Sequence, residues 1–220
     1  ALQRYRIALA QRSAAMRRPG VSGARQDQAV AVWEAPLAEH GAVLWRARRE
    51  WTLVHRAPYV ELCAALGERA TAALSYASSI GEPDDPHGAL RDALARNRAA
   101  DIRRGLTHAG PHRDDLSLTL GGRDLRAFGS AGQQRTAAIA LRLLESDTRR
   151  AASGSEPVML LDDPFAELDA RRAARILELL VAHGSGQTML AVPRADDIPA
   201  RLTRLARYRI AAGAVGSDRA

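Results

Sequence analysis

Two short stretches of the chain hold residue types suited to phosphate chemistry. Val158-Met159-Leu160-Leu161 is an apolar run that ends in two consecutive carboxylates, Asp162 and Asp163. Such a run reads as a buried strand that delivers both acids to the carboxyl edge of a sheet, where ligands bind in open α/β folds. Asp162 there suits Mg²⁺, a hard cation that takes oxygen ligands and keeps several waters. Asp163 suits a base that orients or deprotonates an attacking water. The plainer alternative is a pair of solvated acids between a buried strand and a helix, with Asp169 capping that helix beside Arg172. The second stretch is Gly129-Ser130-Ala131-Gly132-Gln133-Gln134-Arg135. Small residues before a helix let backbone N–H groups approach a phosphate, and the helix dipole favours its charge. The alternative is a loop whose Ser130 simply caps a helix.

Composition narrows the classes. The chain has 220 residues, 46% of them hydrophobic, which is ample for a core. Aromatic residues are only 4%, so aliphatic side chains must fill that core. These figures exclude a collagen, a disulfide scaffold and a mainly disordered chain. No apolar run approaches the roughly 18–20 residues that span a bilayer. The first residues are not a signal peptide, because arginines interrupt the apolar stretch. The lone Cys63 fits a reducing cytosol and excludes a cysteine-based zinc site. The formal net charge is +7, and all 32 basic residues are arginine. A basic chain points to a polyanionic partner, although a compositional bias toward Arg and Ala also produces such an excess. Without lysine there is no P-loop, since GxxxxGK[ST] uses a lysine on the nucleotide phosphates.

The elements that must position these residues follow from periodicity. Residues 1–18 read as a helix ended by Pro19-Gly20. A long amphipathic stripe runs from Val30 through Trp33, Leu37 and Leu44 to Leu66, with Pro58 expected to kink or split it. Leu74–Ile80 reads as a strand and 89–104 as a helix. Leu116, Leu118 and Leu120 alternate with polar residues as a strand does. Gly121-Gly122 predicts a hairpin turn, with Leu125–Phe128 as the returning strand. A helix then runs to Leu144, 169–182 is helical, and 187–192 and 204–211 are strands. His112 has no second ligand at metal spacing, which favours a structural role. The expected division is a mostly helical domain at 1–105, an α/β domain at 106–212 and a flexible tail at 213–220.

The order of a Ser-Gly-Gln turn, a helix, an acid-tipped strand and a helix opening on Leu168-Asp169 resembles ATP-binding-cassette heads. Residues 129–135 resemble the signature loop, 158–163 resemble Walker B, and Pro164–Asp169 resembles the D-loop. Gly110-Pro111-His112-Arg113-Asp114-Asp115-Leu116, Phe128–Thr136, and Leu160–Asp163 followed by Ala166-Glu167-Leu168-Asp169 are similar to the RecF family of bacterial DNA replication and repair proteins. The helical first half resembles that family's arm, through Tyr5, Leu9-Ala10-Gln11-Arg12 and Trp33-Glu34.

The resemblance implies an α/β, partial cassette-type ATPase head, its C-terminal part, preceded by a mostly helical arm. It implies ATP held in a head-to-tail homodimer, with Ser130, Ala131, Gly132 and Gln133 reaching the partner's nucleotide. Asp162 would serve Mg²⁺, Asp163 catalysis, and Glu167 and Asp169 the D-loop. It further implies a cytoplasmic DNA-repair ATPase of the SOS response that clamps DNA at junctions or gaps and loads the recombinase with RecO and RecR. This chain lacks Walker A, which is expected before residue 1, so it is expected to be inactive alone. Phe165 stands where a small or polar residue is usual, and Val192-Pro193 where a switch histidine is common. The alternatives are a non-enzymatic basic DNA-binding module with a decayed ATPase lobe, or another SMC-like head.

Overall fold

A computed structural model of the chain describes residues 1–20, 22–166, 168–182, 186–194, 196, 198 and 206–217. The chain divides into two compact units, Ala1–Pro58 with Ala73–Asp124, and Tyr59–Ala72 with Leu125–Ala220. This cut lies at Asp124 rather than near residue 106, because the hairpin that follows residue 114 joins a sheet with a strand of the helical unit.

The first unit is built from α1 (Leu2–Met16), α2 (Ala24–Ala31), most of α3 (Glu34–Ala65), β1 (Ala72–Ala77), α4 (Pro86–Arg104), β2 (Asp115–Leu120) and β3 (Arg123–Asp124). Tyr5 and Ala8, one helical turn apart on α1, bury against Leu37 of α3 and Leu94 of α4. Leu9, Trp33 and Leu44 pack around them. The stripe expected from Val30 to Leu66 is interrupted at Val32-Trp33, and α3 then continues through Pro58 without splitting. Asp85 caps α4 by accepting from the His87 N–H, Pro86 fills the first turn, where no N–H is needed, and Gly105 ends the helix in the left-handed region. The three-stranded sheet has the order β1-β2-β3. Its hairpin turns on Gly121 and Gly122, both at positive φ (55° and 76°), as a tight two-residue turn between twisted strands requires.

Burial in this unit extends to charge. Arg12 is 0% exposed. Its Nη1 donates to Asp101 Oδ2 and Thr107 Oγ1, both at 2.7 Å, and its Nη2 donates to Glu34 Oε1 at 3.3 Å. Arg98 holds both oxygens of Glu34, at 2.8 and 2.7 Å, and Asp27 at 2.9 Å. Buried charges are tolerated when paired and hydrogen-bonded in this way.

The 110–114 motif is part of the same scaffold. Thr107 O can only accept, so the His112 Nε2 at 3.0 Å carries the proton, and Nδ1 accepts from the Tyr5 hydroxyl at 2.7 Å. Burial pushes the His112 imidazole below its ordinary value of 6.5. A histidine kept neutral by the fold binds its proton more readily once unfolded, so stability falls as pH drops below about 6.5. Urea denaturation of the chain is expected to show this acid-side loss, and His112→Gln to flatten it. An unchanged pH profile in that variant would assign the loss to other groups.

The second unit contains α5 (Leu125–Phe128), α6 (Ala131–Ser153), β4 (Val158–Asp162), α7 (Ala170–Ala182), β5 (Gln187–Ala191), β6 (Tyr208–Ala211) and β7 (Ala214–Ser217). β4 and β5 pair in parallel, Val158 with Gln187 through Asp162 with Ala191, and α7 is the crossover between them. Ile139, Ala140, Leu143 and Leu144 of α6 are buried, as are Ile176, Leu177 and Leu180 of α7, Met159 of β4 and Phe165. Phe165 is therefore a core residue. The opposite face of the sheet is bare: Val158, Leu160 and Met189 are 55%, 70% and 54% exposed.

Two further expectations are corrected. Leu125–Phe128 is a helical turn rather than a returning strand, since β3 spans only Arg123–Asp124. The Gln134 side chain donates to the carbonyls of Leu125, Arg126 and Gly129, which satisfies the short helix's C-terminal acceptors. The chain after Gly213 is not a free tail over its described part, because Ala214–Ser217 forms a hairpin with Tyr208–Ala211. Among the described residues no helix is long and apolar enough to cross a membrane.

Candidate functional site

The small-residue turn and the acid-tipped strand lie in the same unit. Ser130 is the N-cap of α6 in extended conformation (φ −64°, ψ 158°). Its hydroxyl oxygen accepts from the Gln133 N–H at 3.3 Å, and its own N–H donates to Gln133 Oε1 at 2.9 Å. This reciprocal pair is a capping box, which fixes the first turn and ties up two otherwise unpaired donors. The Ser130 hydroxyl proton stays available to an outside acceptor. Ser130 and Ala131 are exposed, while Gly132 and Gln133 are half-buried. A Cβ at Gly129 would stand 2.5 Å from Leu125 O, so only glycine permits this approach to the helix.

Gln133, expected to reach the partner's nucleotide, also makes contacts within the chain. Both ends of its amide are engaged within the chain, Oε1 on Ser130 and Nε2 on Glu68 Oε1 at 3.4 Å. It shapes the turn, and the second Nε2 hydrogen is not used by these contacts.

At the other element, Asp162 ends β4 with its side chain exposed, and Asp163 follows half-buried. Asp163 has φ 46°, a left-handed conformation that Asp and Asn tolerate better than other side chains. Its N–H donates to Ala191 O at 2.8 Å, so the end of β5 fixes it. Its carbonyl accepts from Arg135 Nη1, one turn into α6. A cleft of about 420 Å³ lies beside this contact, lined by Ala131, Arg135, Arg142, Leu161, Asp162 and Pro164 among others. Along it the helix N-terminus supplies N–H donors and a partial positive charge, and the strand end supplies the Asp162 carboxylate.

Asp169 caps α7, accepting from the Arg172 N–H at 2.8 Å. Glu167 lies outside the described residues. His112 belongs to the other unit, in the structural role described above. Among the described residues no group of three or more His, Cys, Asp or Glu is placed to hold a metal ion.

Sequence reasoning missed Glu68, the contact of Arg135 with Asp163 and the full reach of Arg172. Glu68 accepts from Gln133, from the Arg69 N–H at 3.1 Å and from the Ala70 N–H at 3.5 Å. Its other oxygen lies 3.6 Å from Arg172 Nη1. Arg172 also reaches Thr136 Oγ1 at 3.4 Å and Asp169 Oδ2 at 3.7 Å. The segment after α3 is therefore wired to the first turns of α6 and α7. No local sequence signal marks Glu68, whose partners on those helices lie 65 or more positions away.

The chain is 37% identical over 225 aligned positions to the DNA replication and repair protein RecF of Frankia alni, an alignment covering 96% of this chain and 58% of that protein. It is 35% identical over 221 positions to the protein of the same name from Herpetosiphon aurantiacus, covering 98% and 56%. The chain therefore spans a little over half the length of the curated relatives it matches. No protein-family model matches it. A solved structure described as the recombination mediator protein RecF with ATP, in the RecFOR pathway, superposes with a TM-score of 0.77 at 25% identity, covering 98% of this chain and 57% of that one. A second, described as RecF with ATPrS, superposes at 0.78 with 24% identity and shares the fold.

Proposed function

Taking as premise that this chain is RecF-family sequence along nearly its whole length, we propose that it supplies the arm and the signature, Walker B and D-loop portion of a cytoplasmic recombination mediator. That protein binds ATP between two copies of itself and works on gapped or junction DNA, with RecO and RecR as partners in loading the recombinase. Ser130, Ala131 and Gly132, at the start of α6, face the nucleotide bound by the second copy. Gln133 sets the shape of that turn, and Ser130 has a hydroxyl proton left to donate to a phosphate oxygen.

Asp162 takes the cation that accompanies this chain's own nucleotide. An exposed single carboxylate fits Mg²⁺, which is commonly held by one or two carboxylates plus substrate phosphates and water. When bound, that ion would neutralise charge on the phosphates. Asp163 holds or receives the proton of the attacking water, and Arg135 and Ala191 fix its backbone at the strand end. Asp169 and Glu167 belong to the D-loop.

The observation that carries this reading is the Arg135–Asp163 hydrogen bond, which ties the helix that opens on the capped turn to the strand end that bears the twin acids. The bare apolar face of the β4–β5 sheet supports it further. Parallel sheets are ordinarily covered on both faces, so a P-loop-bearing segment is expected to complete this one. The test joins this chain to such a segment and follows its mass by sedimentation with and without ATP. Dimers that appear only with ATP are the expected result. A protein that binds DNA but never responds to ATP would instead be the non-enzymatic basic module.

A further inference from the structure

We propose that the end of the first unit where α1 and α4 finish is a docking surface for the phosphate backbone of duplex DNA. This rests on the DNA-related reading above and places the contact. α1 runs out into Arg17 and Arg18, α4 closes on Arg103 and Arg104, and all four side chains are exposed. Arg17 Nε and Nη2 donate to the Gly105 carbonyl at 3.2 and 3.1 Å, which brings the two helix ends side by side.

The local charge is uncompensated. Asp27 and Asp101 are the only acids in residues 1–33 and 95–113. Asp27 is engaged by Arg98, and Asp101 is fully buried on Arg12. Arginines at helix C-termini complement the dipole, and Arg17 serves that purpose on Gly105 O, while Arg104 is engaged 3.1 Å from His108 Nε2. Arg18 and Arg103 are surplus to it and have no acidic partner among the described residues.

The surface also lacks what a single strand needs. Sequence-tolerant binding of unpaired bases uses aromatic faces for stacking. Tyr5 is buried, and Trp33 is half-buried against the same core cluster. Guanidinium groups without stacking partners read the backbone alone, so the binding is independent of sequence and sensitive to salt.

The experiment uses the chain itself and a short mixed-sequence DNA duplex, with affinity measured across a salt series. Arg18→Gln with Arg103→Gln is expected to lower the slope of log K against log salt by about 1.8, at about 0.9 for each phosphate no longer neutralised. The control is Arg91→Gln with Arg149→Gln, which removes the same charge from exposed arginines paired with Asp92 and Glu145 and is expected to leave the slope unchanged. An equal slope change in both variants would reduce the effect to net charge and overturn the surface. So would tighter binding to the matching single strand, or binding to phosphatidylserine vesicles or an acidic protein in place of the duplex. No ATP enters this measurement, so failure of the ATP-dependent dimer and failure of the surface are read separately.

Discussion

Asp163→Asn, in a protein joining this chain to a P-loop segment, is expected to cut ATP turnover by roughly 10²–10⁴-fold, the usual worth of a positioned general base, while ATP-dependent dimers persist. The choice of asparagine matters. Asp163 sits at φ 46°, where most side chains cost about 1–2 kcal/mol and Asn is tolerated. The Asn variant therefore removes the carboxylate without disturbing the corner made by Arg135 and Ala191. Alanine at the same place would mix the chemical effect with backbone strain. Single-turnover ATP hydrolysis and sedimentation, run side by side, separate the two readouts. Turnover at the parental rate would remove Asp163 as the base. Failure of dimers and turnover together would make it a structural residue of the corner.

The largest expected effect on stability lies far from that corner. Arg12→Met is expected to destabilise the helical unit by about 3–5 kcal/mol, the cost of breaking a buried charge pair from one side. Its volume is nearly kept, but Asp101, with no exposed side-chain surface, loses its 2.7 Å guanidinium partner and keeps only His108 on its other oxygen, Thr107 loses its donor, and Glu34 is left with Arg98 alone. Such a loss is a large share of the roughly 5–15 kcal/mol that holds a domain together. Urea denaturation followed by far-UV circular dichroism measures it. Adding Asp101→Asn to Arg12→Met should cost less than the two single changes summed, because the stranded charge has gone. Strict additivity would mean that the two residues do not act as a pair.

Local patterns carried much of this in the sequence. The apolar run 158–161 with its acids became β4, the small residues at 129–132 became the capped start of α6, and Gly121-Gly122 became the hairpin turn. Each depends on neighbours within a few positions. Where the structure departs, a distant partner decides. Leu125–Phe128 is four residues long, too short for periodicity to separate helix from strand, and the Gln134 amide settles it as a helical turn. Pro58 forfeits one N–H yet lies inside a 32-residue helix. The site itself was only half visible: Ser130 and the two acids stand out by type, whereas Glu68 and Arg135 look like any surface charges until their partners are known. Arg12 was visible only as part of a resemblance, because its three partners lie 22 to 95 positions away.

The uncovered side of the β4–β5 sheet has a practical outcome for anyone handling this polypeptide by itself. Leu160 and its neighbours offer a sticky apolar strip beside open strand edges, the usual route to edge-to-edge pairing between molecules. Preparations should cloud or oligomerise as they are concentrated, and co-expression with the P-loop-bearing segment proposed above should be the simplest remedy.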